Sequence, residues 1–590
     1  MCGISGAVTF DGAPASVSAL QSMNAAMAPR GPDGEGAIAR GRVAFGHRRL
    51  KIIDLSERAE QPMSDPLLGL TVVFNGCIYN YRELRRELEA TGYRFFSDGD
   101  TEVVLKAWHA WGAGAPERLQ GMFAFALHER DSGRVILVRD RLGIKPLYYS
   151  ETPRELRFAS SLPALLAAGG VDTAIDPVAL NYYLSFHAVV PAPRTILKGV
   201  RKLPPATLRV IEPDGRSKER EYWSLSFARS SADQLRSSAE WREQLAAALR
   251  RAVERRMVAD VPVGVLLSGG VDSSLIVGLL TEAGQVGLNT FSIGFEAAND
   301  ESGDEFVYSD LVAERFETEH HKIFIESARL LDALPATIAA MSEPMVSYDN
   351  VCFYLLSREV AKHVKVVQSG QGADEVFGGY HWYPKLVGSG NPAADYARAF
   401  MDRDYAHYRE QVSAEYVGND HARELIEERM AQDGASDPVD RALRLDTTVM
   451  LIDDPVKRVD NMTMAAGLEA RVPFLDHELV ELAARIPPDQ KLRDGGKGIL
   501  KDVARQVVPS QVIDRPKGYF PVPALKYLEG PFLELARDAL GSRAAKERGI
   551  FRRGYLDALF ADPKEHITPL RGSELWQAAI LELWLQAQGA

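Results

Sequence analysis

The seven residues from Ser268 to Ser274 read Ser-Gly-Gly-Val-Asp-Ser-Ser and carry the first candidate chemistry of this chain. An apolar run of buried-strand type precedes them, and a helix pattern begins at Ser273. A strand, a glycine-rich turn and a helix amino terminus together present backbone N–H groups to an anion, and glycine lets a phosphate approach the chain closely. Asp272 would repel a phosphate unless Mg²⁺ lay between them. The stretch therefore predicts a nucleotide-phosphate site with Mg²⁺, and an ordinary strand-to-helix turn is the alternative.

A second candidate chemistry lies at the amino terminus. The sequence begins Met1-Cys2-Gly3, so removal of Met1 would leave Cys2 as a free N-terminal cysteine. Its α-amine, with a pKa of about 8, can then serve as the base for the adjacent thiol. A cysteine taken alone is more often a buried core residue, so the interpretation depends on the strings that follow. These strings are Arg30–Gly34, His47–Leu50, Phe74–Asn80 and Asp98–Glu102.

Together with Cys2, these strings resemble the class II glutaminase domain of glutamine amidotransferases, the N-terminal nucleophile type. The resemblance covers residues 1–225 and implies an α+β fold. It implies that Cys2 attacks the amide carbon of glutamine, while the Asn75 side chain and the Gly76 N–H form the oxyanion hole. A type I′ hairpin turn is the alternative for Asn75-Gly76. The implied glutamine-binding residues are Arg49 for the α-carboxylate, Asp100 for the α-ammonium, the backbone of Ile53, and Asn75, Gly76 and Cys77.

Cys77 departs from the family pattern. The family reads Asn-Gly-Glu-Ile-Tyr-Asn where this chain reads Asn-Gly-Cys-Ile-Tyr-Asn. If that glutamate helps to hold the substrate ammonium, Asp100 must carry more of that task. We therefore expect weaker glutamine binding.

The rest of the chain predicts a second domain of a different fold. Its 590 residues exceed what a single core holds. The predicted strands Leu288–Phe295, His321–Ile325 and Val364–Gln368 alternate with helices, which indicates an α/β doubly wound parallel sheet. Ligands of such sheets bind at the carboxyl ends of the strands. We expect residues 235–590 to form this domain.

Bulk composition excludes several kinds of partner. The net charge of −12 argues against nucleic acid and against an anionic membrane. No apolar run reaches membrane-spanning length, and the first twenty residues lack the pattern of a signal peptide. Three cysteines are too few for a disulfide framework and favour a reducing compartment. The expected location is therefore the cytoplasm, and the expected partners are small molecules.

Three strings of the second half carry a further resemblance. Ser268–Ser274 resembles the pyrophosphate-binding loop of N-type ATP pyrophosphatases, which cleave ATP between its α and β phosphates. Ser369–Tyr380 and Leu468–Asp476 resemble asparagine synthetases, which implies ATP and Mg²⁺ as cofactors and a homodimer. The implied ATP-binding residues are Leu267, Ser268, Gly269, Gly270, Asp272, Ser273, Ile293, Ser369, Gly370, Lys497 and Lys517, and the implied Mg²⁺ ligands are Asp272 and Asp374. Solvated lysines are the alternative for Lys497 and Lys517.

Gln371 stands where asparagine synthetases carry a glutamate that is associated with the chemistry of the acyl-adenylate. A glutamine cannot act as a base, although it can orient ammonia or an amide by hydrogen bonds. Asn461 likewise stands where the family commonly has arginine. We include Gln371 among the catalytic candidates and interpret both changes as favouring an acceptor other than aspartate. The chain resembles the subgroup that amidates N-acetylglutaminylglutamine to an osmoprotectant.

The predicted reaction therefore joins two sites. Glutamine is hydrolysed at Cys2, an acceptor carboxylate is adenylated by ATP at Ser268–Ser274, and channelled ammonia converts the acyl-adenylate to an amide. Synthesis of asparagine from aspartate is one alternative, and a non-catalytic relative that only binds ligands is another. Ring closure as in β-lactam synthetases is disfavoured, because it needs no ammonia and would leave Cys2 without a task.

Overall fold

A computed structural model describes residues 2–296, 303–515 and 528–590. Its strands are β1 Gly3–Thr9, β2 Gly34–Arg40, β3 Val43–Arg49, β4 Met63–Asp65, β5 Leu70–Ile78, β6 Gly121–Glu129, β7 Val135–Arg139, β8 Tyr148–Glu151, β9 Glu155–Ala159, β10 Arg201–Lys202, β11 Thr207–Ile211, β12 Ser217–Glu221, β13 Val263–Leu266, β14 Asn289–Phe295, β15 Glu319–Ile325, β16 Val366–Gln368 and β17 Glu469–Arg471. They form three sheets in the described ranges.

The α-helices lie mainly between and after these strands. They are Val17–Ala26, Tyr81–Ala90, Asp100–Trp111, Ala115–Arg118, Leu162–Ala167, Pro177–Ser185, Ser231–Gln234, Ser238–Arg255, Val271–Glu282, Phe306–Arg315, Ser327–Ala340, Asp349–Val360, Ala373–Phe377, Pro392–Phe400, Tyr405–Gln411, His421–Ala431, Pro438–Leu445, Lys457–Met464, His477–Arg485, Pro488–Leu492, Gly498–Ala504, Ser510–Ile513, Pro531–Gly541, Arg543–Arg548, Arg553–Ala561 and Glu574–Gln588. Two π-helical segments, Asp446–Met450 and Ile452–Val456, precede Lys457–Met464.

Two six-stranded antiparallel sheets face each other in the amino-terminal half, in the orders β10-β8-β9-β1-β3-β2 and β12-β11-β7-β6-β5-β4. Ile4 and Phe45 of the first sheet pack with Val73 and Leu137 of the second. Helices cover both outer faces, so strands such as β5 are buried along nearly their whole length. This arrangement confirms the predicted α+β fold of the N-terminal nucleophile type.

The third sheet is parallel throughout, in the order β15-β14-β13-β16-β17. The chain runs outward from β13 to β15 and then returns to the other side of β13 with β16. Crevices form at such reversals of strand order, at the carboxyl ends of the strands. Leu245 and Leu275 belong to the core on one side of the sheet, and Leu334 and Leu355 to the core on the other. The predicted α/β doubly wound fold is therefore confirmed.

Some predicted elements differ from those observed. The sequence predicts the last strand of a hairpin at Arg220–Trp223, whereas the observed strand runs Ser217–Glu221. The many charges of residues 405–432 predict a solvated peripheral segment, but this segment contains two helices that bury Tyr408 and Ile426. The strand β17 was not predicted, because three residues with two charges show no strand pattern.

The two halves meet along a mixed interface. Leu50 and Ile52 pack against Val263 and Val366, and the Asp260 N–H donates to the Ile52 carbonyl at 2.8 Å. This contact places the segment after β3 beside the parallel sheet. Among the described helices, none has the length and apolar character needed to cross a membrane.

Candidate active sites

Cys2 lies beside Asn75 in the amino-terminal half. The Cys2 backbone N–H donates to Asn75 Oδ1 at 3.0 Å. Asn75 Nδ2 is buried and has no hydrogen-bond partner among the described residues. An unpaired buried N–H next to a nucleophile is a suitable donor for a developing oxyanion.

Gly76 follows Asn75 within the strand β5, so the alternative of a hairpin turn at this pair is excluded. A Cβ atom at position 76 would lie 2.2 Å from the carbonyl oxygen of Met122 on β6. Glycine is therefore required for the two strands to pair, whatever its role with substrate.

A small cavity brings together the predicted glutamine-binding residues other than Asn75, which does not line it. Its volume is about 30 Å³. The predicted residues that line it are Cys2, Arg49, Ile53, Gly76, Cys77 and Asp100. The Arg49 guanidinium donates to the carbonyls of Ser56 at 2.8 Å and Asp54 at 2.5 Å, which fixes it to the loop after β3. A cavity of this volume holds about one water molecule and is too small for an amino acid. The residues that line it must therefore move outward before glutamine can bind.

Burial sets the protonation of this pocket. It raises the pKa of the Cys2 thiol, although the positive charges of the amino terminus and of Arg49 act in the opposite direction. The thiol therefore needs a base, and the α-amine of a trimmed N-terminal cysteine is the nearest candidate. Burial also raises the pKa of Asp100 to about 6, against the hydrogen bond that its carboxylate accepts from the Ile78 N–H. A bound ammonium would favour the ionised carboxylate.

Two charged residues from the second half of the chain also line this cavity, and sequence reasoning missed them. Glu469 and Arg471 come from β17, in the second half of the chain. Their string Leu468–Asp476 had been noted only for its family resemblance. Nothing in the local pattern could place it beside Cys2, because that contact depends on the packing of one half of the chain against the other.

A larger cavity, of about 520 Å³, lies at the carboxyl ends of β13, β14 and β16. The predicted residues that line it are Leu267, Ser268, Gly270, Asp272, Ser273, Ile293, Ser369, Gly370, Gln371, Asp374 and Lys497. Gly269 does not line the cavity but shapes the turn, since its φ is +70° and a Cβ there would lie 2.8 Å from the Ser309 nitrogen. Lys517 lies outside the described residues.

Hydroxyl groups hold the loop in shape. The Ser268 N–H donates to Ser273 Oγ at 3.2 Å, and the Gly270 N–H donates to Ser268 Oγ at 3.3 Å. Gly270 then precedes the twelve-residue helix Val271–Glu282, whose amino terminus points into the cavity. The partial positive charge of a helix amino terminus favours a phosphate at this position.

Lys497 connects the two predicted Mg²⁺ ligands. Its Nζ lies 2.7 Å from Asp272 Oδ2 and 2.9 Å from Asp374 Oδ1. Burial opposes the charged form, but the two carboxylates outweigh it and raise the pKa of Lys497. Lys497 is buried, so the alternative of a solvated lysine does not apply to it. Two converging carboxylates beside a phosphate site are a donor set that fits Mg²⁺, which binds one or two carboxylates together with phosphate oxygens.

Gln371 lines the wall of this cavity together with Glu375 and Tyr380. The Tyr380 hydroxyl donates to Glu375 Oε1 at 2.7 Å, and burial raises the pKa of Glu375 to about 7. Asn461 does not line the cavity. Its Oδ1 instead accepts a hydrogen bond from the Ser342 N–H at 2.5 Å. The inference that the change at Asn461 alters the charge of the acceptor pocket stays a prediction, and Gln371 is the changed residue that lines the cavity.

Arg515 is a cavity residue that the predicted set omitted. It lines the larger cavity, and its guanidinium pairs with Glu305 at 2.8 Å. It lies only two residues before Lys517, which the sequence analysis selected, so its position in the chain could have suggested it. A guanidinium in this position is suited to phosphate oxygens.

Comparison with known proteins matches two protein families to this chain. Residues 1–223 match the glutamine amidotransferase domain and residues 244–586 match asparagine synthase. The chain is 31% identical to asparagine synthetase (glutamine-hydrolyzing) 1 of Bacillus subtilis, over 99% of this chain and 96% of that protein. It is 33% identical to a putative asparagine synthetase (glutamine-hydrolyzing) of Mycobacterium tuberculosis, over 99% and 97%. It is 26% identical to amidase chry2 of Gibberella zeae, over 90% of each.

The structure combines a cysteine pocket on an antiparallel double sheet with a larger cavity at the carboxyl ends of a parallel sheet, and the two family matches show a glutamine-dependent amidotransferase. The chain is an enzyme of the carbon–nitrogen ligase class. It belongs to the asparagine synthase family, in the glutamine-hydrolysing branch.

Proposed function

We propose that this enzyme amidates the carboxylate of N-acetylglutaminylglutamine, with glutamine as the nitrogen donor and ATP as the activating substrate. The single observation that carries the choice of acceptor is the position of Gln371 in the wall of the larger cavity. A neutral amide there can donate to and accept from the amide groups of an acylated dipeptide. It cannot form an ion pair with the α-ammonium of aspartate.

In the first half-reaction, the Cys2 thiol passes its proton to the α-amine and the sulfur attacks the amide carbon of glutamine. The unpaired Asn75 Nδ2 and the Gly76 N–H stabilise the oxyanion. Arg49 holds the α-carboxylate and Asp100 the α-ammonium. Collapse of the tetrahedral adduct expels ammonia, and water then hydrolyses the thioester to glutamate.

In the second half-reaction, the acceptor carboxylate attacks the α-phosphorus of ATP and pyrophosphate leaves. The loop Ser268–Ser273 holds the phosphates, and Lys497 and Arg515 face the charge that develops on the leaving group. Asp272 and Asp374 would hold Mg²⁺, which shields the phosphate charge when bound. Ammonia attacks the carbonyl of the acyl-adenylate, giving the amide and AMP.

Contact between the two halves beside Cys2 supports the proposal that ammonia passes directly from one site to the other. The Arg30 guanidinium donates to the Cys2 carbonyl at 3.4 Å and pairs with Asp460 of the second half at 3.0 Å. Ammonia in solution is mostly protonated at neutral pH and is then not a nucleophile. Confinement keeps it neutral and raises its effective concentration.

Asparagine synthesis from aspartate is the second candidate function, and the names of the similar proteins favour it. The two acceptors are separated by incubating the full-length enzyme with glutamine, ATP, Mg²⁺ and equal concentrations of both. Mass spectrometry of the amide product and the yield of AMP then measure their relative use. We expect the dipeptide amide as the main product, and faster formation of asparagine would overturn the choice.

The proposed location is the cytoplasm. Cys2, Cys77 and Cys352 are all free thiols in the structure, which is the state a reducing compartment maintains. The homodimer stays a prediction.

A further inference from the structure

We propose that Glu469, which belongs to the parallel sheet of the second half, supplies the carboxylate that position 77 lacks and binds the α-ammonium of glutamine. This inference rests on the proposed role of Cys2 as the nucleophile of glutamine hydrolysis. It makes the glutamine pocket a composite of both halves of the chain.

The strand β17 holds Glu469 at the boundary between the halves. The Glu469 N–H donates to the Lys365 carbonyl at 2.8 Å, and β17 pairs in parallel with β16 over residues 366–368. Residues two apart on a strand project to the same face. The side chains of Glu469 and Arg471 therefore lie on the same face of the sheet, and both residues line the cavity beside Cys2.

Glu469 and Arg471 line the same small cavity as Cys77 and Asp100. The pKa of the Cys77 thiol is raised mainly by burial, and it also responds to the charges of Arg471, Asp100 and Glu469. A carboxylate on Glu469 thus lies in the neighbourhood where the family places a glutamate at position 77. Since glutamine must lie against Cys2, Gly76 and Arg49, its α-ammonium falls within this group of residues.

Arg471 fixes the orientation of the carboxylate. Its Nε donates to Glu469 Oε1 at 2.5 Å, and both side chains are buried. A carboxylate has about four acceptor positions, and the ion pair with Arg471 involves Oε1. Arg471 Nη2, by contrast, is buried without a hydrogen-bond partner among the described residues. A glutamate at position 77, as in the family pattern, would offer Arg471 Nη2 an acceptor. Cys77 offers none, which accounts for the unpaired donor.

The charge states favour Glu469 over Asp100 as the main anion. Burial works against ionisation of Glu469, but the amino terminus, Arg471 and Lys145 outweigh it and lower its pKa to about 2. Asp100, whose pKa is raised to about 6, is mostly ionised at neutral pH but loses its charge at a higher pH than Glu469. Glu469 therefore keeps a carboxylate in the pocket over a wider range of pH.

Glutamine hydrolysis by the full-length enzyme tests the proposal with two substrates, glutamine and 4-carbamoylbutanoate, which is glutamine without its α-amino group. We expect Glu469→Gln to lower kcat/KM for glutamine at least about 10-fold, mainly through KM, because a hydrogen bond to a charged group is lost. The value for 4-carbamoylbutanoate should stay the same. Glutamine at position 469 keeps the shape of the side chain and can still accept from Arg471 Nε.

A second variant distinguishes the loss of ammonium binding from damage to the fold. In the Glu469→Gln background, Cys77→Glu restores a carboxylate beside Arg471, and we expect it to recover the preference for glutamine. Glu478→Gln is the matched control, since Glu478 also crosses the boundary, accepting from Gln120 Nε2 at 3.0 Å. That control should change neither substrate, and thermal unfolding should show all three variants folded.

Two results would overturn the proposal. Equal losses for both substrates in Glu469→Gln would mean that Glu469 acts on Cys2 or on the fold rather than on the ammonium. No loss for glutamine would mean that Asp100 suffices. Failure of the underlying function has a different signature, namely unchanged glutamate release by Cys2→Ala, so the two failures are distinguishable.

Discussion

The Arg471 carbonyl accepts a hydrogen bond from the Ser369 N–H at 2.8 Å. Ser369 lines the larger cavity, at the carboxyl end of β16, while the Arg471 side chain lines the small cavity beside Cys2. One backbone hydrogen bond therefore joins the walls of the two sites. The residues of β16 and β17 between the two sites are buried and paired in parallel.

The first prediction concerns Asn75. Asn75→Ala removes both the unpaired Nδ2 donor and the acceptor that anchors the Cys2 N–H. We expect kcat for glutamine hydrolysis to fall about 100-fold to 1,000-fold with a smaller change in KM, since an oxyanion donor acts mainly in the transition state. Steady-state release of glutamate measures both constants. A higher KM with an unchanged kcat would contradict the role of Asn75 in the oxyanion hole.

The pH dependence of glutamine binding follows from Asp100. Its pKa is raised to about 6, so its carboxylate becomes neutral as the pH falls through that value. A neutral carboxyl group attracts an ammonium less, so KM for glutamine should rise as the pH is lowered from 7.5 to 5. Asp100→Asn should have a high KM with little change over the same range. A KM that is independent of pH in the unmodified enzyme would remove Asp100 from ammonium binding.

Lys497 allows the two sites to be separated. Lys497→Met leaves Asp272 and Asp374 without the ammonium that bridges them and removes a cation from the pyrophosphate site. We expect AMP formation to fall about 100-fold or more, while glutamate release in the absence of ATP is unchanged. Exposed Lys385 provides the control Lys385→Met, which should alter neither activity. Normal AMP formation by the Lys497 variant would exclude the proposed role.

Gln371 carries the fourth prediction. Gln371→Glu places a carboxylate in the wall of the larger cavity, where it can pair with the α-ammonium of aspartate. The ratio of asparagine to dipeptide amide should then rise about 10-fold or more, as expected for one charge-assisted hydrogen bond. Competition between the two acceptors, followed by mass spectrometry, measures the ratio. An unchanged ranking of acceptors would remove Gln371 from the specificity argument.

The sequence predicted those parts of the sites that are local in the chain. The loop Ser268–Ser273 and the helix after it have a short-range pattern, and Asn75-Gly76 stands in a recognisable string. Residues that reach a site through tertiary packing were harder to place. Glu469 lies on a three-residue strand without periodicity, and its distance from Cys2 along the chain hides their contact.

Asn461 shows a second limit of predicting site residues from the sequence. Its type differs from the family pattern, which placed it in the acceptor pocket by resemblance, yet it is buried against the Ser342 backbone outside the cavity. A substitution in a motif shows that an environment has changed. Only the packing of Lys457–Met464 against its neighbours shows which environment that is.

The most direct test of the two-site reaction is a comparison of nitrogen donors in Cys2→Ala. Full-length enzyme with ATP, Mg²⁺ and N-acetylglutaminylglutamine is given either glutamine or ammonium salts, and AMP and amide product are measured. The account predicts that Cys2→Ala forms no amide from glutamine but matches the unmodified enzyme with ammonium. Loss of both activities, or continued use of glutamine, would contradict it.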